Sequence, residues 1–191
     1  MQHGLQVYNV SMKLIVGLGN PGEEYIHNRH NVGFMFLDYL IEQYKITNST
    51  YKIDKYLHAE ILQLTKDIVL VKPTTFMNLS GKAVTACIAR YKLHVTEDVF
   101  VIHDDLDIPL GKFKIQKGNG PLMHNGIDSI EEHLHTKDFW RVRIGVDNRT
   151  PEKRIPGETY VLQDFTEAEQ KQLQTVFTSI VEHPLWVASS K

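Results

Sequence analysis

The run KLIVGLGNPGEEYIHNRHN, Lys13 to Asn31, decides how the rest of the chain is read. Leu14-Ile15-Val16 is a short apolar run, the mark of a buried strand. It stops at Gly17-Leu18-Gly19-Asn20-Pro21-Gly22, where glycines open backbone angles closed to other residues and Pro21 fixes its own φ while restricting Asn20. The turn holds the polar Asn20 side chain at the end of a strand. His30-Asn31 follows, a base next to an amide, and then Phe34, Phe36, Leu37, Leu40 and Ile41 take up helical spacing. Strand, polar turn, histidine and helix together predict a site at a sheet edge.

Working outward, helical spacing covers about residues 33–44, and the polar stretch 46–54 reads as a loop. Tyr56–Leu64 and Ile68–Val71 flank Lys66-Asp67 and predict a β-hairpin. A helix is expected over Gly81–Leu93, and the apolar Val99–Ile102 predicts a central strand that empties into His103-Asp104-Asp105-Leu106-Asp107. Lys112–Lys117 and Trp140–Val146 alternate as half-exposed strands do. Between them a helix runs from His124-Asn125-Gly126 to about Leu134. Residues 147–157 read as a surface loop, and Thr166 with Glu169 forms a capping box that opens a last helix. Strands and helices interleave while two strands pair locally, so the expected fold is α/β with a mixed central sheet flanked by helices.

At 191 residues there is room for one domain with a full core, expected over 12–191, with residues 1–11 as a mobile extension. A net charge of −2 means that any nucleic-acid contact must come from a local basic patch. Cys87 is the one cysteine, which excludes an internal disulfide; among Val84, Ala86 and Ile88 it reads as a buried, inert thiol. No apolar run approaches the roughly 20 residues of a membrane span, and no secretory signal opens the chain, so a cytoplasmic protein is expected.

Several motifs carry chemistry. GLGNPG satisfies the dinucleotide pattern G-x-G-x-x-G. Its context fails, because Asp38 falls inside a helix rather than at the end of a second strand. His103-Asp104-Asp105-Leu106-Asp107 reads as a polar turn with one working carboxylate, because neighbours in an extended segment point to opposite sides and do not converge on a metal. A carboxylate beside an imidazole fixes its tautomer and raises its basicity. Asn20, Asn31, Asn78 and Asn125 each sit at a structural break, and asparagine matches a peptide amide with one donor group and one acceptor. No G-x-S-x-G elbow occurs, which points hydrolysis toward an activated water. Lys112, Lys114, Lys117, Arg141 and Arg143 form the densest basic cluster, either solvated strand faces or a phosphate clamp.

Taken together, GLGNPG, Tyr25, Arg29-His30-Asn31-Val-Gly, Pro73-Thr-Thr-Phe76-Met77-Asn78-Leu-Ser-Gly, His103-Asp104-Asp-Leu-Asp, His124-Asn125-Gly and Arg141-Val-Arg143-Ile-Gly resemble bacterial-type peptidyl-tRNA hydrolase, over Lys13 to about Phe165. The resemblance implies a monomeric three-layer α/β domain that hydrolyses the ester between peptide and tRNA, with tRNA as partner and no metal or other cofactor. It implies His30 as the general base, Asp104 as its orienting acid and Asn20 as the group that separates a blocked peptide from a free amine. Asn78 and Asn125 would contact the peptide and the attacked carbonyl, with Asn31 and His124 in the substrate site. Tyr25, Phe76 and Met77 would wall the groove, and Lys114, Lys117 and Arg143 would grip tRNA phosphates. In place of the family's Gly-Gly before His-Asn-Gly, this chain has Leu122-Met123. The alternative is a non-catalytic RNA-binding relative using the same groove.

Overall fold

A computed structural model describes residues 12–46, 50–150 and 155–184; the expected extension 1–11 lies outside them. In chain order the elements are β1 (Lys13–Gly17), α1 (Val32–Gln43), β2 (Lys52–Asp54), β3 (Ala59–Thr65), β4 (Ile68–Pro73), α2 (Ser80–Tyr91), α3 (Val95–Asp98) and β5 (Val99–Pro109). They continue with β6 (Phe113–Lys117), α4 (Asn125–Leu134), β7 (Trp140–Asp147), α5 (Gly157–Val161) and α6 (Glu167–Val181). Short 3-10 turns at Glu23–Tyr25, Arg29–Asn31 and Met77–Leu79 interrupt the connections.

The strands form one sheet in the order β2-β3-β4-β1-β5-β7-β6. β4, β1, β5 and β7 are parallel, and the antiparallel β2-β3 and β6 complete the two edges. Alternation along the central strands divides the core. Ile15, Phe100, Ile102, Val142 and Ile144 face α1 and α6, whereas Leu14, Val16, Val99 and Val101 face α2 and α4. The result is three layers around a mixed sheet, as expected. The carboxyl ends of the parallel strands open onto the polar turns, where ligands bind in such sheets. Helix α1 lies unusually close to β1 because of Gly33, where a Cβ would meet the Ile102 carbonyl and the Leu18 amide at 2.4 Å.

Three local expectations are corrected. Lys52–Asp54, read as loop, forms the edge strand β2 against Ala59–Ile61. Lys52 and Ile53 are exposed, so no buried face marks the strand in sequence. The hairpin's first strand begins at Ala59, because Asp54 Oδ1 accepts from the amides of Tyr56 and Leu57 at 2.9 and 3.1 Å and closes a turn there. The acidic run after Ile102 is not a turn: β5 extends to Pro109, paired with β7 through Asp105. Cys87 is buried as expected, its thiol pushed up to about 12 chiefly by burial.

Candidate active site

His30, Asp104 and His124 come together beside β5. His30, in the 3-10 turn before α1, places Nδ1 2.8 Å from Asp104 Oδ1. His124 reaches the same oxygen with Nε2 at 3.0 Å. The tautomer of His124 follows from its other nitrogen. Nδ1 accepts from the amides of Gly126 and Ile127 at 3.1 and 3.3 Å, capping α4, so the ring proton sits on Nε2 and is donated to Asp104. Asp104 is 2% exposed. Burial alone would raise its carboxyl, but the two facing imidazoles outweigh it and hold the group far below the usual carboxylate range. An ionised Asp104 only accepts, so His30 donates from Nδ1 and keeps the Nε2 lone pair, which has no protein partner among the described residues. Burial pulls the His30 pKa down, yet the Asp104 charge and hydrogen bond leave it raised above 6.5. His103 packs its ring edge-on against His124, 4.9 Å between centroids, and is fully buried; desolvation, then the neighbouring His124, push it well below 6.5, so it stays neutral.

Asn20 and Asn31 form a unit. The Asn31 side chain accepts from the Asn20 amide and donates to the Asn20 carbonyl, both at 2.9 Å. Asn31 is 1% exposed, and both polar atoms of its side chain are held by the Asn20 backbone. Asn20 Oδ1 accepts from the Met77 amide at 2.8 Å, which leaves the amide nitrogen, a pure donor, as the group still to be satisfied. Asn78 and Asn125 are exposed, and Asn125 starts α4 beside the two histidines, where the positive end of the helix favours developing negative charge.

A cleft of about 320 Å³ adjoins His30, Asp104 and His124, bordered by Asn125, Met123 and Val161. The expected apolar walls lie elsewhere. Met77 is a core residue whose thioether fills the space left by Gly126, where a Cβ would come within 2.5 Å of it. Phe76 is 57% exposed, and neither it nor Tyr25 borders the cleft. Met123 does, and so does α5, which begins at the last residue of the expected 147–157 loop and is not predicted as a helix by the sequence. Leu122 and Met123 are each 87% exposed. The positive φ values of this segment fall at Gly118 and Gly120, so replacing the family's two glycines leaves His124 on Asp104.

The basic cluster divides. Lys114 is exposed on the edge strand β6, and Lys117 holds its Nζ 4.9 Å from the Trp140 ring centroid. The two arginines turn inward. Arg141 is 1% exposed and bonds the carbonyls of Gly118, Gly120 and Lys137 and the Glu131 carboxylate. Arg143, expected as a phosphate contact, is 7% exposed, with Nε 2.6 Å from Asp105 and the guanidinium packed on Gly120. Its charge is neutralised inside the fold, which corrects its role to shaping the loop before His124.

A residue without an expected role proves central. Arg29 binds both oxygens of Glu169 at 2.9 and 2.8 Å, donates to the carbonyls of Gln163 and Asp164, and stacks on Tyr160. It ties the turn that carries His30 to α5 and α6. His30, Asp104 and His124 offer donor atoms within 4.8 Å of one another, a spacing a metal ion can bridge. Both imidazole protons already bind Asp104 Oδ1, and an ion there would have to displace them; the set fits a hydrogen-bonded base better than a ligand shell.

Comparison with known proteins gives the family. A family model described as peptidyl-tRNA hydrolase matches residues 14–190. The chain belongs to the peptidyl-tRNA hydrolase family. It is 45% identical over 172 residues to the peptidyl-tRNA hydrolase of Pseudothermotoga lettingae, covering 90% of this chain and 87% of that protein. The Rhodospirillum centenum peptidyl-tRNA hydrolase is 41% identical, with 93% and 76% covered. The crystal structure of peptidyl-tRNA hydrolase from Acinetobacter baumannii superposes with a TM-score of 0.78 at 32% identity, covering 90% of this chain and 85% of that one. Among the described residues no helix is long and apolar enough to cross a membrane.

Proposed function

We propose that the chain hydrolyses the ester joining a peptide to the 3′ ribose of tRNA, using a water activated by His30. The observation that carries the reading is the buried His30 Nδ1 to Asp104 Oδ1 bond of 2.8 Å beside an open cleft. Asp104 fixes the tautomer so that Nε2 takes the water proton while the water oxygen attacks the ester carbon. The imidazolium that forms is stabilised by the adjacent carboxylate. The oxyanion of the tetrahedral intermediate is met by the side-chain N–H groups of Asn78 and Asn125 and by the positive end of α4. Collapse breaks the bond to the ribose oxygen, which takes the proton back from His30, and releases the peptide carboxylate. The second bond from His124 keeps Asp104 ionised and aimed.

Asn20 explains a preference for blocked substrates. With Oδ1 held by Met77, the Asn20 side chain is left with its amide nitrogen as a donor, which suits a peptide carbonyl and disfavours the α-ammonium of an aminoacyl-tRNA. Lys114 and Lys117 supply the reachable cations for tRNA phosphate, and the protein acts as a cytoplasmic monomer recycling tRNA released from ribosomes.

The test compares acyl release from N-acetyl-aminoacyl-tRNA and from free aminoacyl-tRNA. Fast release from the blocked substrate alone is expected. Binding of tRNA without release from either would favour the non-catalytic relative.

A further inference from the structure

A second cavity, about 340 Å³, lies beyond Asn20 and Asn31. It shares no residue with the catalytic cleft: His30 borders one and Asn31, next in sequence, borders the other. The two are ordered along the carboxyl ends of the strands. Pro73 and Thr74 at the end of β4 and Asn20 after β1 border the second cavity, Asp104 on β5 borders the cleft, and β7 and then β6, with Lys114, follow. A substrate with its ester at His30 and its phosphates toward Lys114 must send its acyl chain the other way, across Asn20 toward β4. An extended residue spans about 3.3–3.6 Å, so the first amino acid stays beside His30 and the ones before it lead away along the strand ends, toward Asn20 and the second cavity.

The lining suits one kind of occupant. Ile26, Phe34 and Met35 offer an apolar wall, with Ile26 52% exposed. Glu23, Asp38, Glu60 and Lys72 supply the charges. Lys72 pairs with Asp38, while Glu23 and Glu60 have no ion-pair partner among the described residues. This surplus of negative charge repels RNA phosphate and attracts a cation on an aliphatic stem.

We propose that this cavity is a subsite for the peptide residues immediately preceding the esterified one, and that it selects a basic side chain there. The proposal rests on the hydrolase reading above. Its test uses N-acetyl-Lys-Ala-tRNA and N-acetyl-Glu-Ala-tRNA, with N-acetyl-Ala-tRNA as reference. The wild type should favour the Lys substrate in kcat/KM by about fivefold, the upper range for exposed ion pairs. In a Glu23→Gln/Glu60→Gln protein the Lys:Glu ratio should fall to about one, and in Glu23→Lys/Glu60→Lys it should invert, at the same order of effect. The ratio cancels any general loss of activity. An unchanged ratio in these variants overturns the subsite. Absence of acyl release from N-acetyl-Ala-tRNA by the wild type would instead overturn the hydrolase reading and the subsite with it.

Discussion

Replacing Asp104 by Asn probes the geometry of the base while keeping its shape. The carboxylate lies 2.8 Å from His30 Nδ1 and 3.0 Å from His124 Nε2. At a charge separation of about 4 Å and the effective dielectric of a protein site, its attraction for an imidazolium at His30 is about 4 kcal/mol, an upper bound of roughly 10³-fold on rate. Two further consequences follow from the amide. If its NH₂ turns to His30, Nδ1 must accept, the ring proton moves to Nε2 and the base is lost. If the oxygen faces His30, the tautomer survives but burial acts alone, and burial lowers the His30 pKa. The sign is therefore fixed. The wild type requires neutral His30, whose pKa is raised, so activity should fall as pH drops through a value above 6.5. In Asp104→Asn that acid limb should move down in pH while the plateau rate drops by about 10²–10³-fold. The assay is release of N-acetyl-aminoacyl groups from tRNA between about pH 5 and 8, with tRNA affinity measured alongside. An acid limb that stays in place, or a plateau loss under about tenfold, refutes the assignment of Asp104 as partner of the base.

Other residues give separate readouts. Asn20→Asp keeps the acceptor for the Met77 amide but offers a carboxylate where a donor stood; the preference for blocked over free aminoacyl-tRNA should fall by about tenfold, measured as a ratio of kcat/KM. Arg29→Met strands the 6%-exposed Glu169, so urea unfolding should show a loss of about 3–5 kcal/mol. Lys114→Gln should weaken tRNA binding and reduce the slope of log affinity against log salt by about 0.7–0.9, whereas Arg143→Gln, with its charge already spent on Asp105, should lower stability and leave that slope unchanged.

The elements that read correctly from sequence are those whose apolar pattern is local. Val99–Ile102 and Leu14–Val16 are buried by their neighbours whatever the fold, and the Thr166–Glu169 cap is a local device. The strand extension through Asp107 was hidden because its polar side chains are matched by residues distant in the chain: Asp104 by His30 and His124, Asp105 by Arg143. The same limit explains Arg141 and Arg143. Their alternation places them on one face of β7, but that face is covered by α4 and the 118–120 loop, which turns apparent phosphate contacts into internal ties. His30 and Asp104 were legible as candidates by residue type and by resemblance, whereas the roles of Asn31 and Arg29 are not. Each acts through a hydrogen-bonding partner that only the folded chain brings into reach. Met123 borders the cleft in place of Met77 because a helix start, not a motif, decides which side chain faces it.

The central claim is tested most directly by acyl release from N-acetyl-aminoacyl-tRNA with a chelator present, in the wild type and in His30→Ala, with tRNA affinity determined on the same samples. The account predicts turnover that resists the chelator in the wild type and is lost in His30→Ala, at unchanged affinity. Turnover that survives the loss of His30, or that the chelator abolishes in the wild type, would contradict it.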